Sequence, residues 1–322
     1  MALEEEAMFR HKTKSLLLPL FLAAAFTVTI PAQDKTSEEI VVVNTDLVLL
    51  RASVTDKQGK TVLGLKPENF KIYEDGVSQS VDFFSVEESP VSWGLVLDRS
   101  GSMMEMMRGV YQASLHVISE GTSRDEMFIV TFNEKAEITS RFTDDRHALE
   151  NSTLGLRAEG TTALYDAVST ALEEMKQGRF RKKVLVVVTD GDDNASRLSF
   201  RQLIGRVEEE EIIIYTVGMS DSPGRSMPGV GGTGSRLELE KLAEVTGGAA
   251  HFPTDIEGCR RVMKEIAQEV SQQYSLGYYP SSRDYDGKWR KISIQVGTVK
   301  NQNEYVGRTR IGYYARKKPK LK

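Results

Sequence analysis

Three closely spaced, oxygen-bearing side chains follow a short apolar run in the first third of the sequence. Asp98, Ser100 and Ser102 stand in the segment Asp-Arg-Ser-Gly-Ser, directly after the apolar residues 93–97. Gly101 lets the backbone fold closely around a bound group. Carboxylate and hydroxyl oxygens, with no sulfur or imidazole beside them, are the ligands that Mg²⁺, Ca²⁺ and Mn²⁺ accept. The segment therefore predicts divalent-cation chemistry.

Two further segments place similar side chains at comparable points of the chain. Thr161 and Thr162 precede a predicted helix, and Asp190 follows an apolar run at residues 184–188. Ligands of open α/β sheets bind at the carboxyl ends of the strands, so we expect these side chains to approach the first segment. In the alternative interpretation, the first segment is only a hydroxyl-rich helix cap, because Asp and Ser are favoured caps. That alternative leaves Thr162 and Asp190 without an explanation.

The elements that would position these side chains alternate between strand and helix. We predict strands at residues 93–97, 127–132, 184–189, 212–217 and 249–252, and helices at 103–119, 145–155, 163–177, 198–209, 236–246 and 256–273. Several of the strands are apolar without alternation, as strands buried on both faces should be. The pattern predicts an α/β fold with a doubly wound, mostly parallel sheet. An antiparallel edge hairpin is predicted at residues 135–142.

Two β-rich segments flank this α/β domain, to which we assign residues 90–271. The N-terminal segment, residues 40–89, predicts strands near 47–54, 70–73 and 81–84, and the C-terminal segment, residues 272–316, predicts strands at 274–279, 291–296 and 305–314. Each segment holds too few strands to be stable alone. We therefore expect the two segments to pair into one immunoglobulin-like β-sandwich that flanks the α/β domain or receives it as an insertion.

The two ends of the chain carry different signals. A basic stretch, a short apolar run and a small residue predict a secretory signal peptide at residues 1–32, followed by a polar linker at 33–39. An uncleaved signal anchor is the alternative and would be the only membrane attachment. Residues 317–322 form a basic tail. We expect a secreted, periplasmic or cell-envelope protein.

Composition excludes several other classes. The 322 residues include 42 Lys and Arg against 46 Asp and Glu, and a net charge of −4 argues against a nucleic-acid binder. One cysteine excludes an internal disulfide and a cysteine-rich metal site. The glycine-rich residues 229–234 match a dinucleotide-binding pattern but do not directly follow a strand, so no nucleotide site is predicted.

The three polar segments together resemble the metal-ion-dependent adhesion site (MIDAS) of von Willebrand factor type A (VWFA) domains, over about residues 91–270. That motif is Asp-x-Ser-x-Ser, then a loop Thr, then an Asp after a central strand. The corresponding residues here are Asp98, Ser100, Ser102, Thr162 and Asp190. Thr161 competes for the loop position, although its spacing to the following Leu-Tyr-Asp favours Thr162. The flanking segments Pro-Glu-Asn-Phe at residues 67–70 and Gly-Tyr-Tyr at residues 312–314 resemble those of VWFA-related proteins that bacteria secrete.

The resemblance implies a role for each residue. Ser100, Ser102 and Thr162 would offer hydroxyl oxygens directly to Mg²⁺, or to Mn²⁺ or Ca²⁺, while Asp98 and Asp190 would bind largely through water. An Asp or Glu carboxylate of a protein partner would then complete the coordination of the ion. Without the ion the two carboxylates would face each other, and their repulsion would raise the pKa of one of them.

Four residues are candidates for the rim of this site: Arg99, Thr161, Asp192 and Asp193. Arg99 is expected to be exposed, and the two aspartates either contact the ligand, hold a second cation or belong to a solvated loop. We expect an adhesion-type binding module rather than an enzyme. A structural envelope protein with a vestigial metal site is the alternative. A hydrolase would need a base beside Ser100 or Ser102, and no histidine is near either residue in sequence.

Overall fold

The computed structural model describes residues 47–317, with gaps at 87–88, 108, 110, 112–113, 116, 118–123, 191–192, 220–232, 283, 299–300 and 302–303. The predicted signal peptide and linker, the start of the N-terminal β segment and most of the basic tail lie outside the described residues. The described residues all belong to one compact unit. Within the described ranges, no helix is both long enough and apolar enough to cross a membrane.

Strands at both ends of the chain surround a region in which strands and helices alternate. The strands are β1 (Val48–Thr55), β2 (Phe70–Glu74), β3 (Val77–Gln79), β4 (Phe83–Ser85), β5 (Val91–Asp98), β6 (Glu126–Phe132), β7 (Ala136–Thr143), β8 (Lys182–Thr189), β9 (Ile213–Gly218), β10 (Ala250–His251), β11 (Tyr274–Tyr278), β12 (Trp289–Val296), β13 (Val306–Arg308) and β14 (Gly312–Tyr314). The helices are α1 (Arg146–Thr153), α2 (Leu164–Met175), α3 (Phe200–Glu208), α4 (Thr233–Glu244) and α5 (Ile256–Ser271). Helical residues also lie between β5 and β6, at the described positions from Met107 to Val117.

The central sheet has six strands in the order β10-β9-β8-β5-β6-β7. Every neighbouring pair is parallel except β6 and β7, which form the predicted antiparallel edge. The sequence-based prediction of a mostly parallel α/β sheet is therefore confirmed. The chain builds outward from β5 to β7 and then returns to β8 on the other side of β5. The crevice between the ends of β5 and β8 is thus a topological switch point.

Helices cover both faces of this sheet because its inner strands are apolar on both sides. All eight residues of β5 are buried. Leu95 and Leu97 belong to the core cluster that includes Ile266 of α5, whereas Val96 belongs to the cluster on the other face. Gly94 allows the Phe128 ring to pack closely against the β5 backbone, since a Cβ atom on Gly94 would lie 2.5 Å from that ring.

The two flanking β segments pair with each other in two four-stranded sheets. The strand orders are β13-β1-β11-β4 and β14-β12-β2-β3, and every pairing within them is antiparallel. One core cluster contains side chains from both sheets, among them Leu50 of β1, Ile72 of β2, Leu276 of β11 and Ile292 of β12. Neither sheet has a complete set of strands until both ends of the chain are in place.

The prediction of one continuous strand at residues 305–314 is wrong. The chain instead forms β13, which pairs with β1, and then β14, which pairs with β12 in the other sheet. Residue 312, at the start of β14, must be a glycine, because a Cβ atom on Gly312 would lie 2.3 Å from the Trp289 ring. The short β3 was also not predicted; it follows the tight turn at Asp75 and Gly76, whose φ angles are positive.

A buried polar cluster joins the flanking sheets to the central sheet. The Glu269 carboxylate of α5 accepts a hydrogen bond from the Tyr215 hydroxyl at 2.6 Å and one from Arg308 Nη2 at 2.5 Å. Gln273 adds a hydrogen bond from Nε2 to the Ser53 hydroxyl at 3.1 Å. Burial alone would raise the pKa of Glu269, but the Arg308 guanidinium and these hydrogen bonds outweigh it, so the pKa lies below its ordinary value of 4.5.

We predict that Glu269→Gln lowers the free energy of unfolding by about 3 kcal/mol at neutral pH, because it leaves the Arg308 cation without its buried partner. The carboxylate contributes stability that is complete above pH 4.5 and is lost as the pH falls through its lower folded-state pKa. Urea unfolding of both proteins at neutral and acid pH measures the difference.

Glu244→Gln is the matched control, because Glu244 forms only an exposed ion pair with Lys241 at 3.1 Å. Its loss should cost less than about 1 kcal/mol at any pH. A Glu269→Gln cost as small as that of the control, or one that does not shrink in acid, would contradict the role given to this cluster.

Candidate metal centre

Asp98 ends β5 with a fully buried side chain. Its Oδ1 accepts the backbone N–H of Ser100 at 2.7 Å, and its Oδ2 accepts the Thr189 hydroxyl at 2.6 Å. Burial raises the pKa of Asp98 to about 6, the two hydrogen-bond partners oppose that shift, and the charge of Asp190 adds the smallest contribution. We expected repulsion between the two carboxylates to raise a pKa here; burial is instead the main cause.

The two serine hydroxyls lie side by side just beyond this carboxylate. Ser100 is buried and Ser102 is exposed, and their Oγ atoms are 3.0 Å apart. Ser100 stands at the N-cap of the 3-10 turn Gly101–Met103, yet its side chain makes no capping hydrogen bond. The helix-cap alternative therefore does not explain why a hydroxyl is needed at Ser100.

A second loop packs directly against this segment. The Glu159 N–H donates to the Arg99 carbonyl at 2.9 Å, and the Gly101 N–H donates to the Gly160 carbonyl at 3.0 Å. The contact is close, because a Cβ atom on Gly101 would lie 3.2 Å from that carbonyl oxygen. Gly160 itself has a φ of +78°, a conformation that favours glycine. These contacts bring the threonine loop to the serine segment.

The structure distinguishes the two candidate threonines by their surroundings. Thr162 is 2% exposed, whereas Thr161 is an exposed residue. The Thr162 N–H donates to Oδ1 of Asn194 at 2.9 Å, and the Thr162 carbonyl accepts the N–H of Asn194 at 2.9 Å and that of Ala195 at 3.1 Å. The loop after β8 therefore fixes the backbone that carries Thr162.

Asp193 holds that loop together and caps the neighbouring helix. Helix α2 has no side-chain cap of its own at Ala163. Instead Asp193 Oδ2 accepts the Tyr165 N–H at 3.1 Å and the Ser196 hydroxyl at 2.5 Å, and that hydroxyl oxygen accepts the Asp166 N–H at 3.0 Å. The structure thus gives Asp193 local partners within the fold; Asp192 lies outside the described residues.

The expectation of an exposed Arg99 is wrong. Only 15% of its side chain is exposed, and its guanidinium lies 3.5 Å from the carboxylates of both Glu137 and Glu159. Both carboxylates are themselves exposed, so the ion pairs cover Arg99 from the solvent side. The guanidinium thus ties the loop after β5 to β7 and to the threonine loop.

The oxygen-bearing residues at this edge fit a hard cation such as Mg²⁺. Asp190 follows β8, the strand paired with β5, so both carboxylates and the hydroxyls of Ser100, Ser102 and Thr162 come from segments that contact one another. Both Asp98 oxygens accept protein hydrogen bonds, and a carboxylate oxygen has lone pairs for a further one, as from water bound to a metal. Across the described ranges, no group of three or more His, Cys, Asp or Glu side chains could hold a metal. Hydroxyl and carboxylate oxygens together with water are a donor set that suits Mg²⁺.

Two positioning residues of this edge were not identified from the sequence. Thr189 donates to Asp98 from the last position of an apolar strand, and Asn194 holds the Thr162 backbone from across the crevice. A polar residue ending a fully buried strand was a usable signal for Thr189. No spacing or motif in the sequence predicted that Asn194 would contact Thr162.

An open, mostly parallel sheet with helices on both faces and oxygen-bearing side chains at its switch point defines a doubly wound α/β domain. The von Willebrand factor type A domain family matches residues 94–265, which is more than half of the chain. The chain therefore belongs to the von Willebrand factor type A family. A search of curated proteins gave no match.

Several solved structures are similar to this chain. A von Willebrand factor type A protein from Catenulispora acidiphila is 11% identical, with 85% of this chain and 74% of that chain covered and a TM-score of 0.49. The vWF domain of the type V pili tip protein Mfa5 from Porphyromonas gingivalis is 11% identical, with coverage of 57% and 96% and a TM-score of 0.47. The conserved hypothetical protein BatB from Bacteroides thetaiotaomicron is 14% identical, with coverage of 56% and 98% and a TM-score of 0.45. All three TM-scores are below 0.5, so we draw nothing further from these structures.

We predict that Asp193→Ala lowers the free energy of unfolding by about 1 to 2 kcal/mol, as expected for the loss of a helix cap. Asp144→Ala removes an exposed carboxylate and should change stability by less than about 0.5 kcal/mol. Thermal and urea unfolding measure both effects. Equal stability of the two variants would mean that Asp193 does not cap α2.

Proposed function

We propose that this chain is an adhesion-type module that captures a carboxylate of a protein partner through a divalent cation, Mg²⁺ or alternatively Mn²⁺ or Ca²⁺. The observation that carries the proposal is the pair of hydroxyls on Ser100 and Ser102, 3.0 Å apart beside the buried Asp98. Burying a carboxylate is costly, and a cation beside Asp98 would offset the cost that its hydrogen bonds leave.

Each residue of the site has a task in this proposal. Ser100, Ser102 and Thr162 supply hydroxyl oxygens, while Asp98 and Asp190 orient water molecules. The bound cation would supply an electrophilic position that accepts a partner's Asp or Glu carboxylate. Two hydrogen bonds fix the rotamer of Asp98, and the loop after β8 fixes the backbone of Thr162.

The arrangement favours binding over catalysis. The Ser100 hydroxyl lies within hydrogen-bond distance of the Ser102 hydroxyl, and its other partner is the buried Asp98 carboxylate rather than an imidazole. Of the histidines that the structure describes, His147 is exposed beside Glu150, and His251 is half-buried on β10, where desolvation lowers its pKa. A serine nucleophile needs a base within hydrogen-bond reach. We therefore propose no enzymatic activity.

The proposal includes a location and a frame. We place the protein outside the cytoplasm, secreted or periplasmic, with the signal peptide at residues 1–32 either cleaved or kept as an anchor. The flanking sheets would form an immunoglobulin-like frame for the module. The partner is a protein, and neither nucleic acid nor nucleotide is expected, in keeping with a net charge of −4.

Calorimetric titration of Mg²⁺ into the protein tests the metal site, and the two adjacent threonines provide a matched pair. We predict that Thr162→Ala weakens Mg²⁺ binding by about tenfold or more, while Thr161→Ala leaves it unchanged. Asn194→Ala should weaken it as well, because the amide positions Thr162 without reaching the cation. Equal affinities in all four proteins would overturn the proposed site.

Capture of partner proteins in Mg²⁺ and in EDTA, with wild type and Asp98→Asn, tests the function. We predict that a bound partner is released by EDTA and is not captured by the variant, while circular dichroism shows both proteins folded. A partner that stays bound under both conditions would favour the alternative, a structural envelope protein with a vestigial metal site.

A further inference from the structure

A long groove lies at the edge of the central sheet opposite Asp98. Its volume is about 1580 Å³, and its lining includes the start of β8 at Lys182 and Lys183 and the residues that lead into β9. These are the amino ends of the parallel strands, whereas the candidate metal centre stands at their carboxyl ends. The groove is therefore a separate feature of the fold.

The outer face of one flanking sheet forms the other wall. Along β1, Leu50 points into the β-sheet core, while Leu49 and Arg51 alternate onto the outer face. Leu49 is in register with Gly277 of β11, and Gly277 is in register with Phe83 of β4. Because Gly277 has no side chain, Leu49 and Phe83 form an apolar strip across it, and they are 37% and 43% exposed.

Guanidinium groups stand beside this strip. Arg51, Arg181 and Arg310 all line the groove, and Arg310 donates from Nη2 to the Leu49 carbonyl at 3.1 Å. The counter-charge is weak, because Glu211 lies 3.8 Å from Arg310 and 78% of its side chain is exposed. Over the whole lining, ten basic side chains stand against five acidic ones, although the chain as a whole has a net charge of −4.

Arg51 and Arg310 are partly removed from water, and the carboxylate that acts on both of them, Glu211, is itself exposed. Burial lowers the pKa of Arg51; the Glu211 carboxylate opposes that shift, and the neighbouring Arg181 cation adds to it. Burial also lowers the pKa of Arg310, whose buried Nε makes no hydrogen bond with a described residue. Desolvated like charges of this kind are unfavourable unless an anion joins them.

We propose that this groove binds an extended acidic polypeptide segment, whose carboxylates pair with Arg51, Arg181 and Arg310 and whose apolar side chains cover Leu49 and Phe83. Guanidinium groups match carboxylates in shape and charge. A phosphate or sulfate polymer would satisfy the cations but would leave the apolar strip uncovered. The apolar strip therefore favours a polypeptide as the occupant.

Fluorescence anisotropy with labelled probe peptides tests the proposal on the full chain. The first probe alternates Glu and Leu, the second alternates Gln and Leu, and the third alternates Glu and Ser. We predict that the first probe binds at least about tenfold more tightly than the others, since among the three it alone offers both carboxylates and apolar side chains. Its binding should weaken as the salt concentration rises, because charge pairing contributes.

Arg51→Met is the decisive variant, since it keeps a long side chain and removes the charge. We predict that it weakens binding of the Glu-Leu probe by about tenfold or more, while its melting temperature stays equal to wild type or rises, because a poorly matched cation is gone. Arg201→Met, at an exposed position of α3 outside the groove, should leave binding unchanged.

Two controls separate this groove from the candidate metal centre. EDTA and Thr162→Ala should leave probe binding unchanged, so that failure of either site can be recognised independently. Equal binding of all three peptides, or binding that survives Arg51→Met, would overturn the proposal. So would polyphosphate that binds in an Arg51-dependent manner when the Glu-Leu peptide does not.

Discussion

The buried carboxylate of Asp98 is the constraint on which the functional edge of this protein depends. A carboxylate without contact with water is costly unless donors reach it, and here the Ser100 N–H and the Thr189 hydroxyl donate to it. The Thr189 hydroxyl reaches Asp98 because β5 and β8 are neighbours, which places the end of one strand beside the end of the other. The Ser100 N–H lies two residues beyond Asp98 in the same loop. The switch point between β5 and β8 therefore supplies one of the groups that stabilise the buried carboxylate.

The rest of the structure keeps this edge rigid from a distance. The threonine loop is held by backbone hydrogen bonds to the serine segment on one side and by Asn194 on the other. Behind the sheet, the buried contacts of Glu269 with Tyr215 and Arg308 fix the flanking sheets to the α/β domain. The same union of the two regions leaves a basic, partly apolar groove at the opposite edge, so that one chain offers two chemically different surfaces.

Sequence reasoning predicted the elements whose patterns are local. Alternation of apolar strands and amphipathic helices was enough for the central sheet, and the Asp-x-Ser-x-Ser segment was enough for the first loop. The predictions that proved wrong concern features that depend on contacts between residues distant in sequence. The segment predicted as one strand changes sheets, because its first part pairs with β1 and its second part with β12. Arg99 is covered by Glu137 and Glu159 from two other segments. Asn194 reaches Thr162 only after both loops have folded.

In the proposed site, the hydroxyls of Ser100, Ser102 and Thr162 hold a divalent cation beside Asp98. Anomalous X-ray scattering from crystals of the full chain soaked in Mn²⁺ tests this arrangement directly. We predict an anomalous peak within coordination distance of those three hydroxyl oxygens, and its loss in crystals of Thr162→Ala. A well-ordered site that shows no peak in Mn²⁺, or a peak elsewhere on the chain only, would contradict it.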